Sequence, residues 1–428
     1  MSGPLVLLMA VLATLTALWG LGARHRFLMF PVMAALVYLG WVLPQAIFIA
    51  AEDRLPRDGV VIILTMACLS LVAIILGWRR TTAGDPSNDS PVYVYAPERL
   101  LLGAAVLSLV GAYFYVALWS LPEDMLRDSQ WSGPQTIFVF FSKLQWLGLT
   151  LAWLLWLRHR RIAALGIVVF NLVFIVEPIL LGARRSGMAE LVLIILAGLW
   201  FTRRWVPSRP MLIAGAVAAV LIVNAIGAIR AVTTELLFSD DWPSAAEFAD
   251  ALAEIDYVAA TMGEGRRIET SEFALGAAWA AAVHRDAVFN FGTRYWDVLV
   301  HRHVPGQIVG YDLKSNLQFQ INPDLSRYFD SRFVTGLTLT GFYDAFAAFW
   351  FLGVVVFWAI ARILRCLYDA ASRGEIWAQY AYAYLSVDAV LSITHGTVQF
   401  FAGMPLLLLP SAAIFFFASS HKRNRSVF

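Results

Sequence analysis

The chain has 428 residues, 60% of them hydrophobic and 14% charged, with a formal net charge of +2. A soluble protein carries about 25% charged residues, so a soluble globular protein is excluded; the net charge says little by itself, and no nucleic-acid partner is expected. Two cysteines, Cys68 and Cys366, supply neither a disulfide framework nor metal-ligand spacing, and no zinc, haem or iron–sulfur motif is present.

The first apolar run, 4–22, lacks a positive n-region and is expected to be a span rather than a cleaved leader. Further apolar runs fall at 27–50, 59–78, 99–119, 136–157, 162–181, 187–201 and 211–229. Each approaches the ~20 residues that carry a helix across ~30 Å of hydrocarbon. A transmembrane β-barrel would alternate in short segments instead. The basic loops are "ARHR" (23–26), "WRRTTAG" (78–84), "RHRR" (158–161) and "TRRW" (202–205), followed later by "RILRCLYDAASRGE" (362–375) and "HKRNR" (421–425). All six fall on one side if the N-terminus is outside and the C-terminus inside, as the positive-inside bias requires. One connection breaks the pattern. "GARRSG", between the sixth and seventh runs, puts Arg184 and Arg185 on the outer side.

Residues 230–340 form the one long connection, also outside, and loops of this length carry structure of their own. Its stretch 235–272 is acidic, opposed only by Arg266 and Arg267. Within it "SAAEFADALAEIDYVAATM" has apolar residues at helical spacing. The second half changes character: "GTRYWDVLVHRHVPG" gathers Arg294, Tyr295, Trp296, His301, Arg302 and His303. Aromatic faces such as Tyr295 and Trp296 stack on sugar rings, and an arginine such as Arg294 binds phosphate with its planar fork. Trp296 equally suits an interfacial aromatic belt. Arg230 ends the eighth run at the outer mouth, so Arg184, Arg185 and Arg230 can converge there. Guanidinium groups stay charged and make bidentate bonds, which fits the diphosphate of a lipid-linked substrate.

Three apolar runs follow the loop, at 341–361, 376–394 and 398–418. The expectation is an all-α polytopic membrane protein of about 11 transmembrane helices (10–12). Its organisation is 1–229 for helices one to eight, 230–340 for a large outer loop with short amphipathic helices, and 341–428 for the last three helices and a short cytoplasmic tail. Ionisable groups inside spans are functional candidates. Here they are Glu177, Glu190 and Asp388, with His395 at an outer end. Tyr343 and Asp344 open the ninth run, and with His301 and His303 they are candidates for the base that deprotonates an acceptor hydroxyl. The sequence does not choose among the four.

An arginine pair between mid-chain spans, an arginine leaving the span before one large outer loop, and that loop's place ahead of the last spans resemble the Wzy-type O-antigen polymerases, which are related to the O-antigen ligases. The stretch from "VHRHVPGQIVG" (300–310) to "FVTGLTLTGFYDAFAAFWFLGVVVFWAIARILRCLYD" (333–369) is similar to the end of that loop and the span after it. The resemblance covers roughly residues 165–420. It implies a GT-C-like helical fold in a bacterial cytoplasmic (inner) membrane, with the active site facing the periplasm or exterior. It also implies a metal-independent glycosyltransferase without cofactor, building a cell-surface polysaccharide. Donor and acceptor would both be oligosaccharides on polyprenyl diphosphate, with a chain-length regulator and a flippase as possible partners. Alternatives are an O-antigen ligase, another GT-C transferase using the acidic "AEDR" motif (Glu52, Asp53), a transporter or flippase with intramembrane carboxylates as coupling groups, and a non-catalytic subunit of an envelope glycan assembly.

Overall fold

The computed structural model describes residues 2–79, 95–121, 134–180, 185–221, 244–257, 268–328, 333 and 337–419. Among these residues regular structure is helical, apart from an isolated antiparallel bridge between Tyr95 and Ser419. In chain order the helices begin with α1 (Ser2–Gly22), α2 (Phe30–Ala51), α3 (Arg57–Trp78) and α4 (Pro97–Trp119). There follow α5 (Pro134–Ser142), α6 (Leu144–His159), α7 (Ile162–Leu180) and α8 (Arg185–Arg203). Next come a shorter apolar helix, α9 (Arg209–Leu221), and the loop helices α10 (Ala245–Ala253), α11 (Glu272–Asp286), α12 (Thr293–His303), α13 (Gly306–Val309) and α14 (Tyr311–Asn316). The last are α15 (Gly341–Phe349), α16 (Val354–Ser372), α17 (Ile376–Thr394) and α18 (Val398–Ala418).

Among the described residues nine helices are long and apolar enough to cross a membrane, counting α5–α6 and α15–α16 as one each. This is a polytopic helical membrane protein. The difference from eleven has two sources. The described part of α9 ends at Leu221, and α17 carries Gln379, Asp388 and three tyrosines among its apolar residues. Sequestration offsets that polarity, since Tyr380, Tyr382 and Gln379 are buried in the bundle.

Local breaks have local causes. In α2, Pro44 has no N–H for the carbonyl four residues back, and the turn Tyr38–Val42 widens so that the Leu43 N–H returns to Tyr38 O. The α5–α6 pair is interrupted at Lys143, where the Trp146 N–H bonds back to Lys143 O at 3.1 Å. Between α15 and α16, Trp350 takes a left-handed backbone with φ 55°.

The basic segments gather at one end of the bundle. Arg158 donates to Gly374 O at 2.6 Å and to Gln379 Oε1 at 2.9 Å. Arg204 donates to Ser372 O, Tyr368 to His25 O, and Arg99 to Phe417 O. The opposite end holds the pairs Arg285–Asp58 (2.7 Å) and Arg54–Glu269 (3.8 Å).

The segment 230–340 does not simply cover that second end. Of the amphipathic stretch expected over 244–262, the described residues hold the shorter helix α10, which ends at Ala253 and starts with a capping box between Ser244 and Glu247. Its alanine-rich α11, however, is buried among the spanning helices. Ser271 caps α11, and the Gln45 Oε1 of α2 accepts from Ser271 Oγ (3.1 Å) and from Phe273 N (3.2 Å). Close approach needs small residues: a Cβ on Gly59 of α3 would stand 2.1 Å from Ala277 O.

Candidate functional site

Helix α12 organises the site, and its two ends do different things. It starts after Gly292, whose φ of +84° suits a residue without Cβ. At this end Arg294 Nε lies 2.9 Å from Asp344 Oδ1, at ion-pair distance although not aligned as a hydrogen bond. Asp344 is 1% exposed. Its Oδ2 accepts from Thr397 Oγ1 (2.6 Å) and Val398 N (3.1 Å). Because Thr397 gives its proton to the carboxylate, the Tyr295 hydroxyl is the donor in its 2.7 Å contact with Thr397 Oγ1. The Tyr295 ring packs edge-on to Phe401. Tyr343 is buried, with its ring beside Trp279. Arg294, Tyr295, Tyr343 and Asp344 therefore join α12 to α15 and the start of α18. Trp296 points elsewhere: its ring is half exposed and its Nε1 donates to Leu317 O at 2.8 Å.

The C-terminal end of α12 faces cavities. Arg302 bonds Gln399 Oε1, and His303 Nε2 sits 3.0 Å from Ala402 O. A carbonyl only accepts, so Nε2 carries the proton and Nδ1 of the neutral ring is an acceptor. Burial lowers the His303 pKa from the ordinary histidine value, opposed by the Ala402 hydrogen bond and aided by Arg302 and Lys143. Burial, Lys314 and Arg302 lower that of His301. Both rings are thus biased toward the neutral form.

A cavity of about 310 Å³ lies between α5–α6, α7, α8, α12, α17 and α18. Its lysine, arginine, histidine and carboxylate lining is Lys143, Glu190, Arg302, His303, Asp388 and His395, and Ile175, Ile179, Leu391 and Leu406 supply apolar wall. Asp388 fits because α18 has glycine opposite: a Cβ on Gly403 would stand 2.1 Å from Asp388 Oδ2. Gln145 also lines the cavity, is 1% exposed, and has no hydrogen-bond partner for either amide atom among the described residues. A buried amide left so costs about 1–3 kcal/mol unless a ligand or water meets it. A second cavity, of about 150 Å³, adjoins the first, sharing Phe140, Arg302 and His303, and adds His301, Tyr311 and Lys314.

The structure thus divides the expected residues. His303 lines both cavities and His301 the smaller one, whereas Arg294, Tyr295, Tyr343 and Asp344 line neither. Arg184 and Arg230 lie outside the described residues, as does the side chain of Arg185. The next two residues, Ser186 and Gly187, line the larger cavity. Glu177 accepts from Tyr115 at 3.2 Å. Glu52 and Asp53 of "AEDR" pair with Arg54 and Arg57. Among the polar lining residues, sequence reasoning missed Tyr115, Ser142, Lys143, Gln145, Tyr384 and Gln399. Lys143 alone carried a signal, as a lysine inside an apolar run.

Compared with known proteins, the chain matches no family model, no curated protein and no solved structure.

Proposed function

We propose that this protein is a GT-C-like membrane polymerase that joins oligosaccharide repeat units carried on polyprenyl diphosphate. Counting α9 and α17 as crossings makes eleven, which returns the long connection to the face opposite the basic end. The positive-inside bias makes the basic end cytoplasmic. The protein then sits in a bacterial cytoplasmic membrane with its cavities toward the outside.

The observation that supports this reading is the 310 Å³ cavity, which sets Lys143, Arg302 and Gln145, unpartnered among the described residues, against an apolar wall inside the bundle. A diphosphate joined to a prenyl chain has that same division of charge and grease. Lys143 and Arg302 neutralise charge as the diphosphate departs, and Ser186 and Gly187 line the same cavity. The acceptor hydroxyl attacks the anomeric carbon, the bond from that carbon to the phosphate oxygen breaks, and the diphosphate leaves with the electron pair. His303 takes the hydroxyl proton on Nδ1 while Ala402 O fixes the other ring nitrogen. Purified protein given lipid-linked repeat units should produce a ladder of longer glycans. Units that remain single refute the reading.

A transporter is the second reading, favoured by one observation: Glu190 and Asp388 line the same cavity from α8 and α17. Carboxylates facing each other inside a bundle serve proton coupling. Proteoliposomes separate the two. A transporter moves the unextended unit across the bilayer and loses this with Asp388→Asn, whereas a polymerase extends units presented on one face.

A further inference from the structure

The long connection carries an apolar surface that the proposed chemistry does not use. From α13 to the turn after α14, large apolar side chains point outward: Ile308 is 77% exposed and Phe319 61%, with Tyr311, Leu313 and Leu317 also exposed. The backbone beneath them is fixed. Asp297 of α12 accepts from Phe319 N (2.8 Å) and Gln320 N (3.0 Å), Trp296 Nε1 donates to Leu317 O, and Lys314 Nζ donates to His301 O (2.8 Å). These side chains are therefore held outward by bonds from α12. Contiguous exposed apolar surface marks a contact site.

The occupant follows from continuity. Ile308 and Tyr311 border the smaller cavity on one side, and Phe140 and Phe141 of the spanning pair α5–α6 border it on the other. Val139 and Phe141 are themselves exposed on the outside of that span, where lipid must lie. The apolar surface of the bundle thus runs past the cavity mouth onto α13–α14. Behind the mouth stand Arg302 and Lys314, at the depth where a lipid's anionic head group would meet them.

We propose that residues 306–321 form a lip seated in the interfacial layer of the outer leaflet, and that the smaller cavity opens sideways to lipid between this lip and α5. A lipid-borne anion would then reach the larger cavity from the bilayer, passing Phe140, Arg302 and His303, which the two cavities share. This goes beyond the polymerase reading and rests only on the chain being embedded with this end at the lipid surface.

The test uses the unmodified full chain in nanodiscs of phosphatidylglycerol and phosphatidylethanolamine. A phospholipid carrying a diazirine near the top of its acyl chain is photolysed, and adducts are mapped by mass spectrometry. Residues 306–321 should take adducts at a level similar to residues 137–141 and roughly ten-fold above the acidic α10. Adducts on 137–141 with none on 306–321 overturn the proposal, whether water or a second copy of the chain covers the lip. Such a result would leave a glycan ladder untouched, so the two readings fail separately.

Discussion

The two ends of α12 carry the same kinds of side chain and meet opposite fates. At its start Arg294 lies at ion-pair distance from the buried Asp344, and Tyr295 is bonded to Thr397, which donates to the same carboxylate. At its end Arg302 and His303 are anchored on one side only and border two cavities on the other. Arginines and aromatics next to a histidine cluster are therefore no guide to chemistry by themselves. What separates structural from chemical use is whether the remaining bonding capacity points at protein or at open space.

The sharpest way to break this comparison is at His303. His303→Gln should lower turnover of lipid-linked units by about 10²- to 10⁴-fold, the span typical of a lost general base, with the melting temperature nearly unchanged. A wild-type rate moves the base elsewhere and erases the distinction between the two ends. Lys143→Gln is expected to cost on the order of 10²-fold in turnover through weaker charge neutralisation, measured as kcat and KM separately.

Asp344→Asn tests the other end. It leaves Arg294 beside a neutral partner and should destabilise the protein by about 2–4 kcal/mol, less than a fully buried pair because Arg294 is partly exposed. Thermal unfolding in detergent measures this. A variant that melts normally but is inactive would make Asp344 chemical and reverse the comparison. Histidine titration gives a smaller effect. The folded-state pKa values of His301 and His303 are depressed, so the unfolded chain binds more protons once the pH nears the ordinary histidine value. Their contribution to stability is complete above about pH 6.5 and is lost as the pH falls below it toward the folded values. Melting curves should show that loss, and the His301→Asn and His303→Asn double variant should flatten it. Smallest is Tyr295→Phe, which removes one hydrogen bond and should cost about 1 kcal/mol without changing turnover.

Much of the architecture could be read along the chain. Among the described residues the apolar runs became helices, and basic segments far apart in the chain meet at one end in contacts such as Arg204 with Ser372. The buried α11 could not be read that way. Its alanines are only weakly apolar, and what buries them is the room left by Gly59 on another helix. The site was legible in pieces. Glu190 and Asp388 stand out as ionisable groups in apolar runs and His395 at the end of one, but their partners cannot be read along the chain. Gln145 and Gln399 carry no local mark at all.

Hydrophobicity and charge act over one span or one loop, because a bilayer tests each segment separately. The sequence by itself therefore determined a helical membrane protein with alternating basic loops and one long connection. Contacts between helices depend on residues far apart in the chain. Only the tertiary structure decided that Asp344 would be spent on Arg294, and that Lys143, Arg302, His303, Glu190 and Asp388 would border one cavity.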